Sequence, residues 1–186
     1  ANDFWTHSIC VGVAAKSVAS AKDIPMAERE EYFVAGLLHD LGKIPLNSCF
    51  ADEYGEALAS SRAEQKPLCL AEDMVFGMDH NMVGRMIAEK WQLGETIIDS
   101  LFHHHNPDKA RECNRQFVAI VALANSFANS SNIGFAGNQS HSFEDTALEY
   151  LAEQVGVNRV TLSGLGEIVS DEIEKARIFL QLTKKR

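Results

Sequence analysis

Grouped histidines set the chemistry of this 186-residue sequence. His39 is followed by Asp40 and, three residues on, by Lys43; His80 follows Asp79; and His103, His104 and His105 are contiguous. Neutral imidazole and carboxylate are good ligands for borderline divalent ions, and several must converge because a single ligand holds a metal weakly. A carboxylate has two oxygens, so Asp40 can bridge two ions while His39 coordinates one of them, which one imidazole nitrogen cannot do. Asp40 is the keystone of any such site. Lys43 is placed to offset the charge of a phosphate brought to the metal.

Each position also has a plainer reading. His39 alone reads equally as a core or capping histidine, and His80 as an imidazole held in one tautomer by a capping Asp79. Lys43 can be a solvated charge at a helix end. His103 is the weakest of its triplet, since three successive residues span about 200° of a helix. His141 falls in a polar stretch and reads as exposed. Arg85 and Arg111 are less secure contacts for a substrate.

The elements that must position these groups read as helices throughout. Phe4 to Ala21 is Ala-rich and sets Ile9, Cys10 and Val13 on one side of a 3.6-residue period, with Asp3 able to cap it or face a site. Lys22-Asp23-Ile24-Pro25 stops it. From Met26 a second helical pattern carries Tyr32, Phe33, Leu37, Leu38 and Leu41 and ends near Gly42. Gly36 inside it costs about 1 kcal/mol against Ala, so its use is close approach of another backbone.

Further helices are expected at 51–63, 67–77, 79–91, 94–104, 114–131, 142–154 and 158–181, punctuated by Pro67, Gly94 and Pro107. His80 then opens a helix, and His104 and His105 end one whose apolar face holds Ile97, Ile98, Leu101 and Phe102. Asn129 to Ser142 reads as a long surface loop lying over the site, and Lys184, Lys185 and Arg186 as a solvated basic tail. No period-2 strand is evident. The expected fold is all-α, one irregular globular bundle over 1–186.

Composition narrows the function classes. Seventeen Lys and Arg against 26 Asp and Glu give a net charge of -9, which opposes a broad grip on nucleic acid. With 46% hydrophobic and 23% charged residues the chain is ordered rather than disordered. No apolar run reaches the roughly 20 residues of a membrane span. Cys10, Cys49, Cys69 and Cys113 are too far apart for a zinc knuckle or redox pair and read as buried thiols, which fits a cytoplasmic protein.

The run Phe33-Val34-Ala35-Gly36-Leu37-Leu38-His39-Asp40-Leu41-Gly42-Lys43 resembles the signature helix of the HD superfamily of metal-dependent phosphohydrolases. Asp79-His80-Asn81-Met82-Val83-Gly84, Ala88-Glu89-Lys90-Trp91, Ile98 through Pro107 and Val121-Ala122-Leu123-Ala124-Asn125 resemble its HDOD subgroup. The resemblance spans Phe4 to about Phe127. It implies an HD-domain-like bundle and one or two divalent transition metals, Fe, Mn, Ni or Zn. By comparison with the dinuclear HD-GYP hydrolases, His7, His39, Asp40 and Asn125 would serve one ion and Asp40, His80, His104 and His105 the other.

Two departures matter. Position 125 is Asn where that pattern has Asp, and a neutral amide is a weaker ligand, so the first metal is expected to be weak or absent. Asp3 stands where a glutamate precedes the first histidine, as a weak or supporting ligand. His105 is followed by Asn106-Pro107-Asp108 rather than Gly-Tyr-Pro, so cyclic di-GMP turnover is not implied.

The resemblance further implies an output module for protein signalling partners or fused regulatory domains, with another helical portion usually preceding the His7 helix. We therefore expect a signal-transduction domain retaining a His/Asp metal site. The alternatives are a metal-dependent phosphohydrolase acting through Asp40 and Lys43 on a nucleotide or phosphodiester, with a phosphorylated small molecule as its partner, and a metal-free interaction bundle.

Overall fold

Alanine and small residues let the first two helices approach closely. In a computed structural model the chain is described over residues 2–134, 137 and 141–183, with the side chains of 2, 141–145, 159 and 176–183 outside that description. Helix α1 (Asn2–Ala21) packs on α2 (Met26–Leu38). A Cβ on Gly36 would lie 2.8 Å from Gly12 Cα, which is the close backbone approach expected of that glycine. Asp3 lies inside the first turn rather than at the cap, because the helix already begins at Asn2.

The second helical pattern does not run to Gly42. Helix α2 ends at Leu38, a tight turn crosses 39–42, and a short helix α3 (Lys43–Cys49) follows that the sequence reading does not contain. Pro45 conceals it: proline normally reads as a stop, yet in the first turn its missing N–H costs nothing. Leu41 N–H donates to Leu38 O at 2.8 Å and Lys43 N–H to Asp40 O at 2.9 Å, so the turn is closed by its own backbone.

Helices α4 (Ala51–Glu64) and α5 (Leu68–Phe76) pack together and with α3 enclose a small core of Leu46, Tyr54, Ala57, Leu68 and Ala71. Helices α6 (His80–Lys90) and α7 (Glu95–His103) form the next pair, and α8 (Arg115–Ser130) runs through the main core. Every residue from Phe117 to Ala128 is buried, as expected of a helix apolar on all sides. Helix α1 covers α8 together with α9 (His141–Val155), and α10 (Arg159–Thr183) lies on α1. Among the described residues there is no strand, and no helix long and apolar enough to cross a membrane.

The expected helices at 51–63 through 158–181 fall within two residues of those observed. The cysteines correct one expectation: Cys10 is buried and Cys69 half-buried, but Cys49 and Cys113 are exposed, and all four are free thiols. Cys49 ends the short α3 and Cys113 sits in a 3-10 turn, Glu112–Asn114, and neither is among the residues those elements bury. His141 opens α9 rather than lying in a loop, though its side chain, the tail from Lys184 to Arg186 and residues 135, 136 and 138–140 of the long connection lie outside the described residues.

Candidate metal centre

Helix ends converge on one buried carboxylate. His39 is the C-cap of α2, His80 the first residue of α6 and His104 the C-cap of α7, while Asp40 sits in the turn after α2. His39 and His80 are 0% exposed, Asp40 1% and His104 2%, so bulk solvent does not reach them. Asp79 caps α6 by accepting the Met82 N–H at 2.9 Å, which fixes where His80 enters. Gly42 makes room: a Cβ there would fall 2.0 Å from the His80 carbonyl oxygen.

The tautomers follow from the far side of each ring. His39 Nδ1–H donates to Gly36 O at 2.7 Å, and His104 Nδ1–H is shared between Ser100 O and Leu101 O at 3.2 Å each. His80 Nδ1–H donates to Glu72 Oε2 at 2.5 Å, and the same oxygen takes the His80 backbone N–H at 2.9 Å. A carbonyl only accepts, so the His39 and His104 rings hold a proton on Nδ1, as His80 does toward Glu72, and in the neutral form of each the lone pair is on Nε2.

Those lone pairs meet more acceptors. His39 Nε2 lies 3.3 Å from Asp40 Oδ2, while His80 Nε2 and His104 Nε2 lie 3.4 and 3.7 Å from Asp40 Oδ1. His39 Nε2, His104 Nε2 and Asp40 Oδ1 are buried without a hydrogen-bond partner. Buried acceptors left facing one another are costly unless a cation lies among them. The spacing suits one: metal–nitrogen bonds of about 2.1 Å place neighbouring ligand atoms about 3.0 Å apart in an octahedral shell and about 3.4 Å apart in a tetrahedral one.

His105 completes this half, its Nε2 3.1 Å from His80 Nε2. It is exposed where the other side chains of the cluster are buried, so it is the edge of the site nearest solvent, although its ring packs on His80 and His104. On the other side of Asp40, His7 from α1 and Asn125 from α8 form a buried pair in which His7 Nε2–H donates to Asn125 Oδ1 at 3.0 Å. Asp40, His80, His104 and His105 form one group able to hold an ion and His7, His39 and Asp40 another, sharing the one carboxylate.

The electrostatics favour ligands ready to bind. Burial pushes His7 down to about 4 and His80 to about 3, and it holds His104 well below the usual imidazole range with help from His105; the His105 residue is exposed, but its ring is desolvated where it packs on His80 and His104 and is lowered to about 3. These rings are therefore neutral at neutral pH. Burial would raise the Asp40 carboxyl, but the charge His39 carries when protonated and the Lys43 ammonium outweigh it and hold it well below the usual carboxylate range. Glu72 is pushed up to about 7, chiefly by burial.

Lys43 is not a solvated charge. It is 3% exposed and its Nζ donates to Asp40 Oδ2 at 2.8 Å. Asp79 caps α6, but Glu72 rather than Asp79 holds the His80 tautomer. Glu72 escaped the sequence reading because Glu72-Asp73 inside Leu68–Phe76 looks like a pair of solvated acids; only its position eight residues before His80 hinted otherwise. Asp3 is exposed, one turn before His7.

Arg85 and Arg111 lie elsewhere, in a groove of about 420 Å³ that they line with Phe102 and His103. There Arg85 pairs with Glu89 and Arg111 with Asp99 and Glu95. The long connection does reach the site's edge, since a Cβ on Gly134 would lie 2.5 Å from the His7 backbone nitrogen.

Residues 1–107 match the HDOD domain family. The chain belongs to that family. Among solved structures this HDOD domain is similar to an HDOD domain protein of unknown function from Geobacter sulfurreducens, at 24% identity and a TM-score of 0.71 over 94% of this chain and 60% of that one. It is also similar to the MmoQ response regulator from Methylococcus capsulatus, at 24% identity and a TM-score of 0.64 over 88% of this chain and 60% of that one.

An uncharacterized protein of Treponema pallidum (strain Nichols) is 25% identical over 121 residues, 65% of this chain and 23% of that protein. The chain thus spans under two thirds of each of these relatives. The fold is the all-helical HD-domain-like bundle of its structural neighbours, and the HDOD domain carries a His/Asp cluster capable of holding a divalent metal.

Proposed function

We propose that this HDOD domain is a cytoplasmic signal-transduction output module built around a bound divalent transition metal, Fe, Mn, Ni or Zn, with ligands drawn from His7, His39, Asp40, His80, His104, His105 and Asn125. The observation that carries this reading is the meeting of the His39, His80 and His104 lone pairs at the Asp40 carboxylate. It also weighs against a metal-free polar network, in which each inward nitrogen would need a donor.

Burial of the cluster favours an output role over turnover, because only His105 of the candidate ligands other than Asp40's buried neighbours is open to solvent. Exposed apolar side chains on α5, α6 and the turn between them support a protein partner or a fused regulatory domain. Leu70 and Met74 on α5, Met78, and Met82 and Met86 on α6 are all exposed at four-residue spacing. Methionine side chains adapt to varied apolar surfaces.

The second reading, a phosphohydrolase acting on a phosphorylated small molecule, rests on Lys43 beside Asp40 and on the open edge at His105. The metal would polarise a phosphoryl oxygen and activate water when bound. Asp40 would anchor that ion, and Lys43 would offset phosphate charge.

Anaerobic metal analysis of natively purified protein, with Asp40→Ala and His80→Ala, tests the site. We expect bound metal in the parent and its loss in both variants; equal content in all three proteins would reject it. A phosphodiester and nucleotide panel with Mn²⁺ or Fe²⁺ separates the two readings, and turnover abolished by Asp40→Ala would favour the hydrolase.

A further inference from the structure

We infer that Lys43 to Phe76, helices α3 to α5, form a movable unit whose docking onto the rest of the HDOD domain is set by occupancy of the centre at Asp40. This rests on the metal-binding reading above and adds what the ion regulates. The unit leaves the body at the turn 39–42 after α2 and returns at 77–79 before α6. Its two junctions lie side by side, since a Cβ on Gly42 would fall 2.0 Å from the His80 carbonyl oxygen. The junctions also carry ligands: Asp40 stands in the first and His80 directly after the second, with His80 Nε2 3.4 Å from Asp40 Oδ1.

The unit has an apolar interior of its own. Leu46, Tyr54, Ala57, Leu68 and Ala71 form a cluster separate from the main core. Outside its own helices the unit packs chiefly on α6, with Gly137 of the long connection set against Leu58 and Leu68. What joins it to the centre is polar: Lys43 Nζ donates to Asp40 Oδ2 at 2.8 Å, and Glu72 Oε2 takes both the backbone N–H and the Nδ1–H of His80. A part with a small core and few apolar contacts to its surroundings opens at lower free energy than the whole.

Occupancy and docking are thereby coupled. In the docked unit Lys43 and Glu72 hold Asp40 and His80 in the orientation that brings Oδ1 and Nε2 together, and movement of the unit away from the body removes both supports. Supports of this kind strengthen metal binding. The ion therefore binds the docked form more tightly, and by reciprocity its presence favours docking. Without it, Asp40 Oδ1 is buried with no hydrogen-bond partner, which works against the docked arrangement. Leu70 and Met74 travel with the unit while Met82 and Met86 stay on α6, so the ion would set the shape of the exposed apolar surface.

Double electron-electron resonance between spin labels on Cys49, at the end of α3, and Cys113, on the body, tests this in the full chain with and without Zn²⁺. These are the two exposed cysteines. Burial pushes the Cys10 and Cys69 thiols up to about 12 and about 11, so brief labelling at neutral pH spares them, and Cys69→Ser serves if Cys69 also reacts. We expect one narrow distance with Zn²⁺ bound and a shifted, broader distribution in the metal-stripped protein, with helical content by circular dichroism unchanged. Limited proteolysis of the stripped protein should place its new cuts within 43–76. Identical distributions with Zn²⁺ shown to be bound, or new cuts only outside 43–76, would overturn the inference and leave the metal-binding reading intact. Loss of most helical content on stripping would overturn it too, because the body must stand with the unit undocked. Absence of bound Zn²⁺ would overturn both.

Discussion

Glu72 Oε2 holds His80 twice, through the backbone N–H at 2.9 Å and through Nδ1–H at 2.5 Å. Such a carboxylate orients the ring and raises the basicity of its free nitrogen, an effect worth about 10- to 100-fold in metal affinity. We predict that Glu72→Ala weakens Mn²⁺ or Zn²⁺ binding by that factor in a chelator competition. Glu72→Gln, which keeps an acceptor but not the charge, should fall between. Equal affinities in all three proteins would show that Glu72 is only packing.

Stability of the metal-free protein should fall as pH drops from 7 toward 4. For an imidazole with its folded pKa lowered, the unfolded chain binds more protons below 6.5, so stability is lost on acidification down to the folded value. His7, at about 4 against 6.5, contributes a loss of about 2 kcal/mol between pH 7 and pH 5. His80, His104 and His105 act in the same direction. Glu72, raised from 4.5 to about 7, opposes them over the same window, because its folded form holds a proton that the unfolded chain releases. Four lowered imidazoles outweigh one raised carboxyl. Urea melts at pH 7 and pH 5 check the sign, and a higher midpoint at pH 5 would contradict it.

Removing Asp40 should harm folding beyond any loss of metal. Its partner Lys43 is 3% exposed, and stranding a buried ammonium costs about 3–5 kcal/mol. We expect Asp40→Ala to lower the metal-free unfolding free energy by that amount and Asp40→Ala with Lys43→Met to recover most of it. Additive losses in the double variant would mean that the two groups do not compensate each other.

The contact between α1 and α2 leaves no room at Gly36. Overpacking of this kind costs about 1–3 kcal/mol, so Gly36→Ala should lower the melting temperature. Gly55 in α4 is the control, since a Cβ there meets nothing within 4 Å, and Gly55→Ala should stabilise by about 0.5–1 kcal/mol. Matching shifts at both positions would mean that helix propensity, not packing, governs Gly36.

The parts legible in the sequence were those where chemistry and period coincide on neighbouring residues. His39 and Asp40 are adjacent at the end of an apolar helix, and His104 and His105 follow a clear amphipathic face, so their places at helix ends could be read. Gly36 was legible because a glycine inside a strong helix needs a reason. Glu72 was hidden because its role depends on tertiary approach to His80 rather than on a local pattern. Helix α3 was hidden because Pro45 has opposite meanings inside a helix and in its first turn. The burial of Lys43 was equally hidden, since a lysine after a helix end ordinarily points to water.

Three of the imidazoles stand on the terminal residues of separate helices: His39 after α2, His80 at the head of α6 and His104 after α7. Helix termini are where fraying begins and where amide hydrogens exchange first. An occupant at Asp40 would act as a clasp across three such loose ends, so its arrival would be felt as slowed exchange along entire helices, well beyond the few atoms it touches.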